Sequence, residues 1–171
     1  MVKVRHSIVL LIVTLYTQFL FGQATFDVVS VGDKAPDFTV KTIEDKTLCL
    51  EELKGKYVLI NFFATWCKPC MEEMPLIEKH IQQRFDNNDL VVIAIGREHN
   101  INELELFNQR KKFSFHIAAD PKRNIYSMYA QKFIPRLYLV DKTGKLIYAH
   151  SGYKKSEFDK LINLLETKVA K

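Results

Sequence analysis

The sequence predicts that a buried strand ends and a helix begins at a pair of cysteines, and this junction restricts the fold more than any other feature. Tyr57–Phe63 is an almost continuous apolar run, typical of a strand that is covered on both faces. From Pro69 to about Phe85, apolar residues recur at spacings of three and four, as on one face of a helix. Cys67 and Cys70 lie between the two patterns. We therefore expect a strand, a turn and a helix that together carry a Cys-x-x-Cys pair.

The other apolar patterns predict an α/β fold with a mixed central β-sheet flanked by helices. Further strands are expected at 90–95, 115–118, 136–140 and 146–151, and further helices at 101–111 (N-capped by Asn100), 123–129 and 155–168. Strands and helices alternate through the middle of the chain, which implies parallel pairing with right-handed crossovers. A turn at 141–144 joins two antiparallel strands, and a short N-terminal hairpin is expected from strands at 38–42 and 48–50. No repeat or flexible linker divides the chain, so we expect one domain.

The N-terminal segment has the layout of a secretory signal. Lys3 and Arg5 precede an apolar run at 8–21, and small residues follow it. As a helix, this run would span only about 21 Å, which is shorter than the roughly 30 Å hydrocarbon core of a membrane. We therefore expect a signal peptide at 1–24 and a mature domain at 25–171; a retained signal would instead tether the protein to the membrane through residues 8–21. Removal of the signal leaves 23 basic and 20 acidic residues, an excess too small to indicate nucleic-acid binding.

The position of Cys67 favours it as a nucleophile. At the N-terminus of a helix, free backbone N–H groups and the helix dipole stabilise a negative charge, so the thiol of Cys67 is expected to be exposed and to ionise readily. Lys68 adds a nearby cation, and Pro69 suits the first helical turn, where its missing N–H costs no hydrogen bond. These residues predict thiol–disulfide exchange, in which Cys67 attacks a partner disulfide and Cys70 resolves the mixed disulfide.

Other uses of a Cys-x-x-Cys pair fit the sequence less well. A structural zinc site takes four Cys or His ligands, and no second pair is present. Haem attachment requires a histidine after the second cysteine, where Met71 stands. A static structural disulfide stays open, although a strand-to-helix position disfavours it. We expect no cofactor and no metal, because no metal-ligand spacing links the histidines of the mature chain, His80, His99, His116 and His150.

Cys49 is the third cysteine of the mature chain. In an oxidising compartment an accessible free thiol forms mixed disulfides. We therefore predict that Cys49 is a small, buried core residue.

Three separated segments resemble the thioredoxin superfamily, in particular its exported TlpA-like and ResA-like branch. They are Gly-Asp-Lys-Ala-Pro-Asp-Phe at 32–38, Asn-Phe-Phe-Ala-Thr-Trp-Cys-Lys-Pro-Cys at 61–70, and Ile134-Pro135 followed by Leu-Tyr-Leu-Val-Asp at 137–141. The resemblance covers about residues 31–167 and implies a thioredoxin fold with an N-terminal β-hairpin and an extra βα insertion. It also implies an extracytoplasmic, periplasmic type of protein-disulfide reductase. Its partners would be exported proteins with disulfides and a membrane-bound or periplasmic thiol electron donor.

The resemblance implies roles for individual residues. Pro135 matches the cis-proline that lies beside the redox cysteines, which would leave the backbone of Ile134 free to pair with a bound peptide. Pro75 matches a proline that kinks the active-site helix. Glu73 matches a glutamate that assists the thiols in acid–base chemistry. Asn61 stands where cytosolic thioredoxins have a buried aspartate, and a neutral amide cannot relay a proton, so Glu73 becomes the better candidate.

Several of these residues have plainer alternatives. Trp66 would shield the disulfide and bind substrate together with Lys68 and Pro69, or else lie in the core. Glu73, three residues after Cys70 and on the same helix face, would otherwise be an ordinary solvated carboxylate.

Two other functions stay open. Peroxiredoxins share the fold and a similar opening loop at 35–38. They require Thr or Ser three residues before the peroxidatic cysteine, whereas Thr65 stands only two before Cys67. The second alternative is a non-catalytic thioredoxin-like binding module that captures a partner without turnover.

Overall fold

The computed structural model describes residues 26–85 and 89–169. The signal peptide predicted at 1–24 lies outside these residues. Within them, every helix is too short or too polar to cross a lipid bilayer.

Within the described residues, seven strands form two sheets. An N-terminal hairpin pairs β1 (Thr39–Lys41) with β2 (Thr47–Cys49) in antiparallel fashion, and a short 3-10 turn follows at Glu51–Leu53. The central sheet contains β3 (Tyr57–Phe63), β4 (Leu90–Arg97), β5 (His116–Asp120), β6 (Arg136–Val140) and β7 (Leu146–Ser151). Its order is β5-β4-β3-β6-β7, parallel from β5 to β3 and antiparallel from β3 to β7. The predicted mixed sheet, hairpin and thioredoxin fold are confirmed, and β5 and β7 are the edge strands of the central sheet.

In the part of the chain that the structure describes, four helices flank the central sheet. They are α1 (Lys68–Ile77), which continues as a π-helical turn at Glu78–Gln82, α2 (Ile101–Lys111), the single-turn α3 (Tyr126–Tyr129) and α4 (Lys155–Lys168). Helix α1 passes through Pro75 instead of ending there. The predicted N-cap of α2 is confirmed, since Asn100 and Glu103 form a reciprocal capping box.

Helix α3 is shorter than the predicted 123–129. Arg123 has a left-handed backbone (φ 59°), which no α-helix accommodates. The carboxylate of Asp120 then accepts the N–H groups of Ile125 and Tyr126, at 3.1 and 2.8 Å. The helix therefore begins only at Tyr126, because a side chain at the end of β5 supplies the cap.

The central sheet is buried on both faces, as its uninterrupted apolar runs predict. On one face, Leu59 and Phe63 pack against helices α1, α2 and α4. On the other, Ile60 and Phe62 pack against the hairpin and α3. Because successive side chains of β3 alternate between these faces, both cores depend on this one strand. The packing on both faces fixes the end of β3, which leads into the turn that carries Cys67 and Cys70.

The prediction for Cys49 is wrong, because this residue is half-buried and its thiol is free. In the hairpin Val40 lies opposite Leu48 and faces the core, whereas Thr39 lies opposite Cys49 on the outward face. The Sγ of Cys49 is 3.9 Å from Oδ1 of Asp37. Strand alternation, which acts on every second residue, decides the exposure of this cysteine.

Candidate active site

Cys67 and Cys70 are joined by a disulfide at the N-terminus of α1. Cys67 is the N-cap residue, and its Sγ accepts the backbone N–H of Cys70 at 3.2 Å. Pro69 occupies the first turn of the helix, as expected. A thiolate at Cys67 would keep the same N–H donor and the positive end of the helix dipole.

The two sulfurs differ in access. Cys67 is 5% exposed and Cys70 is fully buried. The expectation of an exposed first cysteine is therefore wrong, because the loop before β6 lies against it, with the carbonyl oxygen of Ile134 near its Sγ. Of the two cysteines only Cys67 reaches the surface, so a sulfur of a partner protein can contact Cys67 but not Cys70.

Glu73 is a buried carboxyl group on α1, in the same helix as Cys70. Its exposure is 1%, whereas Glu72 on the same helix is exposed. The Nδ2 of Asn61, in β3, donates a hydrogen bond to Oε2 of Glu73 at 3.1 Å. Burial raises the pKa of Glu73 to about 8, and the Asn61 hydrogen bond only partly opposes this increase. The reading of Glu73 as a solvated carboxylate is wrong; the carboxyl group is mostly protonated at neutral pH.

The loop before β6 lies against the disulfide. The Ile134–Pro135 peptide bond is cis, which confirms the expectation. The carbonyl oxygen of Ile134 is 3.8 Å from Sγ of Cys67. The neighbouring carbonyls are bonded within the protein: that of Phe133 accepts the Tyr126 hydroxyl at 2.6 Å, and that of Pro135 accepts the N–H of Gly152 at 2.8 Å. The backbone of Ile134 is thus the part of this loop that faces the reactive sulfur.

An aromatic rim surrounds Cys67. Trp66 is 65% exposed and Phe133 is 59% exposed, so the reading of Trp66 as a core residue is wrong. Together with the cysteine they border an open pocket of about 410 Å³. Its full lining is Trp66, Cys67, Lys68, Pro69, Arg97, Phe133 and Ile134. The structure therefore brings together the predicted substrate-binding residues, with Pro135 buried directly behind Ile134.

Sequence reasoning missed Phe133 and Arg97. The guanidinium of Arg97 lies between the rings of Trp66 and Tyr126, 5.8 and 5.1 Å from their centroids. Phe133 was detectable, since it directly precedes the Ile134-Pro135 motif. Arg97 ends β4, beside the end of β3, so the parallel pairing of these strands also pointed to it.

His99 supports the active-site turn from behind. It is 7% exposed, and its Nε2 accepts the backbone N–H of Thr65 at 3.0 Å. Its Nδ1 is 3.3 Å from Oε2 of Glu103. Because a backbone N–H always donates, Nε2 is the acceptor in this contact. No local pattern reveals the contact, which joins residues 34 positions apart. No group of three or more potential metal ligands occurs within residues 26–85 and 89–169.

The chain matches the AhpC/TSA family over residues 31–149. The chain belongs to the AhpC/TSA family. It is 31% identical over 144 residues to the thiol-disulfide oxidoreductase ResA of Bacillus cereus, covering 84% of this chain and 81% of ResA. It is also 35% identical over 137 residues to the thioredoxin-like protein YneN of Bacillus subtilis, covering 78% of this chain and 79% of YneN.

A solved structure has a similar fold. The solution structure of a Bacteroides thetaiotaomicron protein, proposed to be a disulfide isomerase, superposes with a TM-score of 0.82 and 30% identity. The match covers 87% of this chain and 96% of that one. The expected relationship to thioredoxin-like proteins is therefore confirmed.

Proposed function

We propose that this AhpC/TSA family member is an extracytoplasmic thiol-disulfide oxidoreductase that reduces disulfides in exported proteins. The observation that carries the proposal is the Cys67–Cys70 disulfide at the N-terminus of α1, with one sulfur at the surface beside the backbone of Ile134. The named activity of ResA supports it.

The reaction begins from the dithiol form. The thiolate of Cys67 attacks one sulfur of the partner disulfide, forming a mixed disulfide and releasing the partner's other sulfur as a thiolate. The thiolate of Cys70 then attacks Sγ of Cys67, which releases the partner's remaining thiolate and forms the Cys67–Cys70 disulfide. Two electrons pass to the partner, and protons from solvent or acidic side chains neutralise its thiolates. A thiol electron donor, membrane-bound or periplasmic, must reduce the protein before the next cycle.

Glu73 is proposed to handle the proton of Cys70. Cys70 is fully buried, so its thiol cannot lose a proton directly to bulk water. Glu73 stands one helical turn further along α1 on the same face, and its pKa of about 8 is close to that of a thiol. A matched pKa lets the carboxyl group accept and return a proton near neutral pH.

The rim supplies the proposed substrate contacts. Trp66 and Phe133 offer apolar surface to residues that flank the target cysteine, and Lys68 and Pro69 border the same pocket. The backbone of Ile134, positioned by Pro135, would pair with the partner chain as an added strand.

Location and domain organisation follow from the N-terminal sequence. The proposed signal at 1–24 would export the protein, leaving residues 25–171 as a thioredoxin-like domain in the periplasm or an equivalent compartment. Retention of the signal would anchor that domain to the membrane through residues 8–21.

Trapping tests the exchange mechanism. Cys70→Ser removes the resolving thiol, so we expect it to accumulate covalent complexes with proteins that contain disulfides, visible as bands that disappear on reduction. Cys67→Ser is the matched control and should trap none. Capture that persists in Cys67→Ser would instead support a binding module. A reduction potential near −120 mV, typical of strong oxidants, would overturn the direction of electron flow proposed here.

The peroxidase alternative has less support from the site. The hydroxyl of Thr65 lies 3.4 Å from Nε2 of His99, so it is directed toward the histidine. We expect the reduced protein to consume hydrogen peroxide no faster than a simple dithiol. Rapid turnover of peroxide would reverse this preference.

A further inference from the structure

Arg136 is a buried cation directly after the cis-proline. It is 2% exposed, and its Nε and Nη2 both donate to the carbonyl of Lys132, at 3.0 and 2.7 Å. Lys132 directly precedes Phe133, Ile134 and Pro135. The guanidinium therefore folds back over the loop that presents Ile134 to Cys67.

The counter-charge of Arg136 comes from the extreme N-terminus of the described chain. The carboxylate of Asp27 forms an ion pair with Nη1 of Arg136, and the Tyr138 hydroxyl lies 3.0 Å from the same carboxylate oxygen. Asp27 also forms an antiparallel bridge with Ala130, at the start of the loop.

Backbone hydrogen bonds hold this N-terminal segment in place. The N–H of Val28 donates to the carbonyl of Tyr129 at 3.0 Å, and the carbonyl of Phe26 accepts the N–H of Gln131 at 2.8 Å. The ring of Phe26 packs edge-on against Phe133, with centroids 5.2 Å apart. The segment 26–28 therefore lies along the loop as a short added strand.

We infer that Asp27 and Arg136 are positioning residues, which act through the Lys132 carbonyl to hold the Ile134 backbone ready for a polypeptide substrate. This inference rests on the proposed function. A buried guanidinium needs a paired anion, since its desolvation is otherwise uncompensated. Without Asp27 the guanidinium turns toward water and releases the Lys132 carbonyl. The loop then samples other conformations, and strand pairing with a substrate has to order it first.

Two kinds of substrate should depend differently on the Ile134 backbone. A polypeptide disulfide uses both Cys67 and the Ile134 backbone, whereas a small disulfide such as hydroxyethyl disulfide has no strand to pair and uses Cys67 alone. Loss of Asp27 should therefore affect the first and spare the second. General damage to the active site would lower both rates equally.

The test compares Asp27→Asn with Asp33→Asn, a nearby control whose carboxylate accepts the backbone N–H of Ser30 in a local turn. With insulin as the polypeptide disulfide, we expect Asp27→Asn to raise KM at least fivefold and to leave kcat within twofold. Its rate with hydroxyethyl disulfide and its reduction potential should stay unchanged, and Asp27→Glu should recover most of the insulin activity. An unchanged KM for insulin, or equal losses on both substrates, would overturn the inference.

Hydrogen exchange supplies a readout that does not depend on activity. In Asp27→Asn, the amides of Gln131 and Gly152, which donate to the carbonyls of Phe26 and Pro135 at the two ends of the loop, should exchange at least tenfold faster than in the wild-type protein, while those of α1 stay unchanged. If the wild-type protein reduces neither substrate, the proposed function fails. Hydrogen exchange then tests by itself the positioning role of Asp27 and Arg136. Unaltered exchange in the loop would refute it.

Discussion

Replacing Glu73 by glutamine should change how the stability of the oxidised protein depends on pH. The carboxyl group is buried, and its pKa in the folded state is about 8, against an ordinary value of 4.5. Between these pH values the folded state binds more protons than the unfolded state, so wild-type stability decreases as pH rises. Glutamine has nearly the same shape, can still accept the hydrogen bond from Asn61, and does not titrate. Stability of the variant should therefore lack this decrease.

The size of the effect follows from the pKa change. One pKa unit corresponds to about 1.4 kcal/mol. With a folded-state pKa near 8, the wild-type protein therefore loses about 3 kcal/mol of unfolding free energy by pH 7 and about 4.5 kcal/mol by pH 8.5, relative to acidic pH. Relative to its difference from wild type at pH 4.5, Glu73→Gln should gain about 3 kcal/mol in free energy of unfolding at pH 7. Above pH 8 the gain levels off, because the carboxyl group is then ionised in both states.

Urea unfolding at pH 4.5, 7 and 8.5 measures this difference. The disulfide is kept oxidised, so neither Cys67 nor Cys70 titrates. Glu72→Gln is the matched control on the same helix; its carboxylate is exposed, and its profile should run parallel to wild type. Parallel profiles for Glu73→Gln and wild type would refute the assignment of a raised pKa to this carboxyl group.

Three further predictions concern packing, the active-site turn and processing. In Gly96→Ala the new Cβ would lie 2.8 Å from the buried side chain of Leu104, so we expect a loss of about 1–3 kcal/mol in urea unfolding. His99→Ala leaves the Thr65 N–H without its acceptor and should cost about 1–3 kcal/mol, whereas His99→Gln, which keeps an acceptor, should cost less. If the proposed signal is removed, mass spectrometry of the mature protein should find an N-terminus that retains Asp27. A mature chain that starts later, yet reduces insulin normally, would contradict the positioning role of Asp27.

Local patterns in the sequence were sufficient for most of the fold. Strands β3, β6 and β7 and helices α2 and α4 have the predicted bounds. Each is a largely apolar run or a helical periodicity with clear ends, and such patterns depend on neighbouring residues alone. The Cys-x-x-Cys pair at a strand-to-helix turn was visible for the same reason, whereas the cis bond before Pro135 was expected only from the family resemblance.

Tertiary packing decided the environment of each site residue. Glu72 and Glu73 are identical in type and adjacent, yet Glu72 is exposed, whereas Glu73 is buried and bonded to Asn61. Burial raises the pKa of Glu73. Arg136 sits inside an otherwise apolar strand, and its partner Asp27 is 109 positions away. Burial, counter-charges and pKa values depend on which distant elements meet in space, and a pattern of near neighbours contains no record of that.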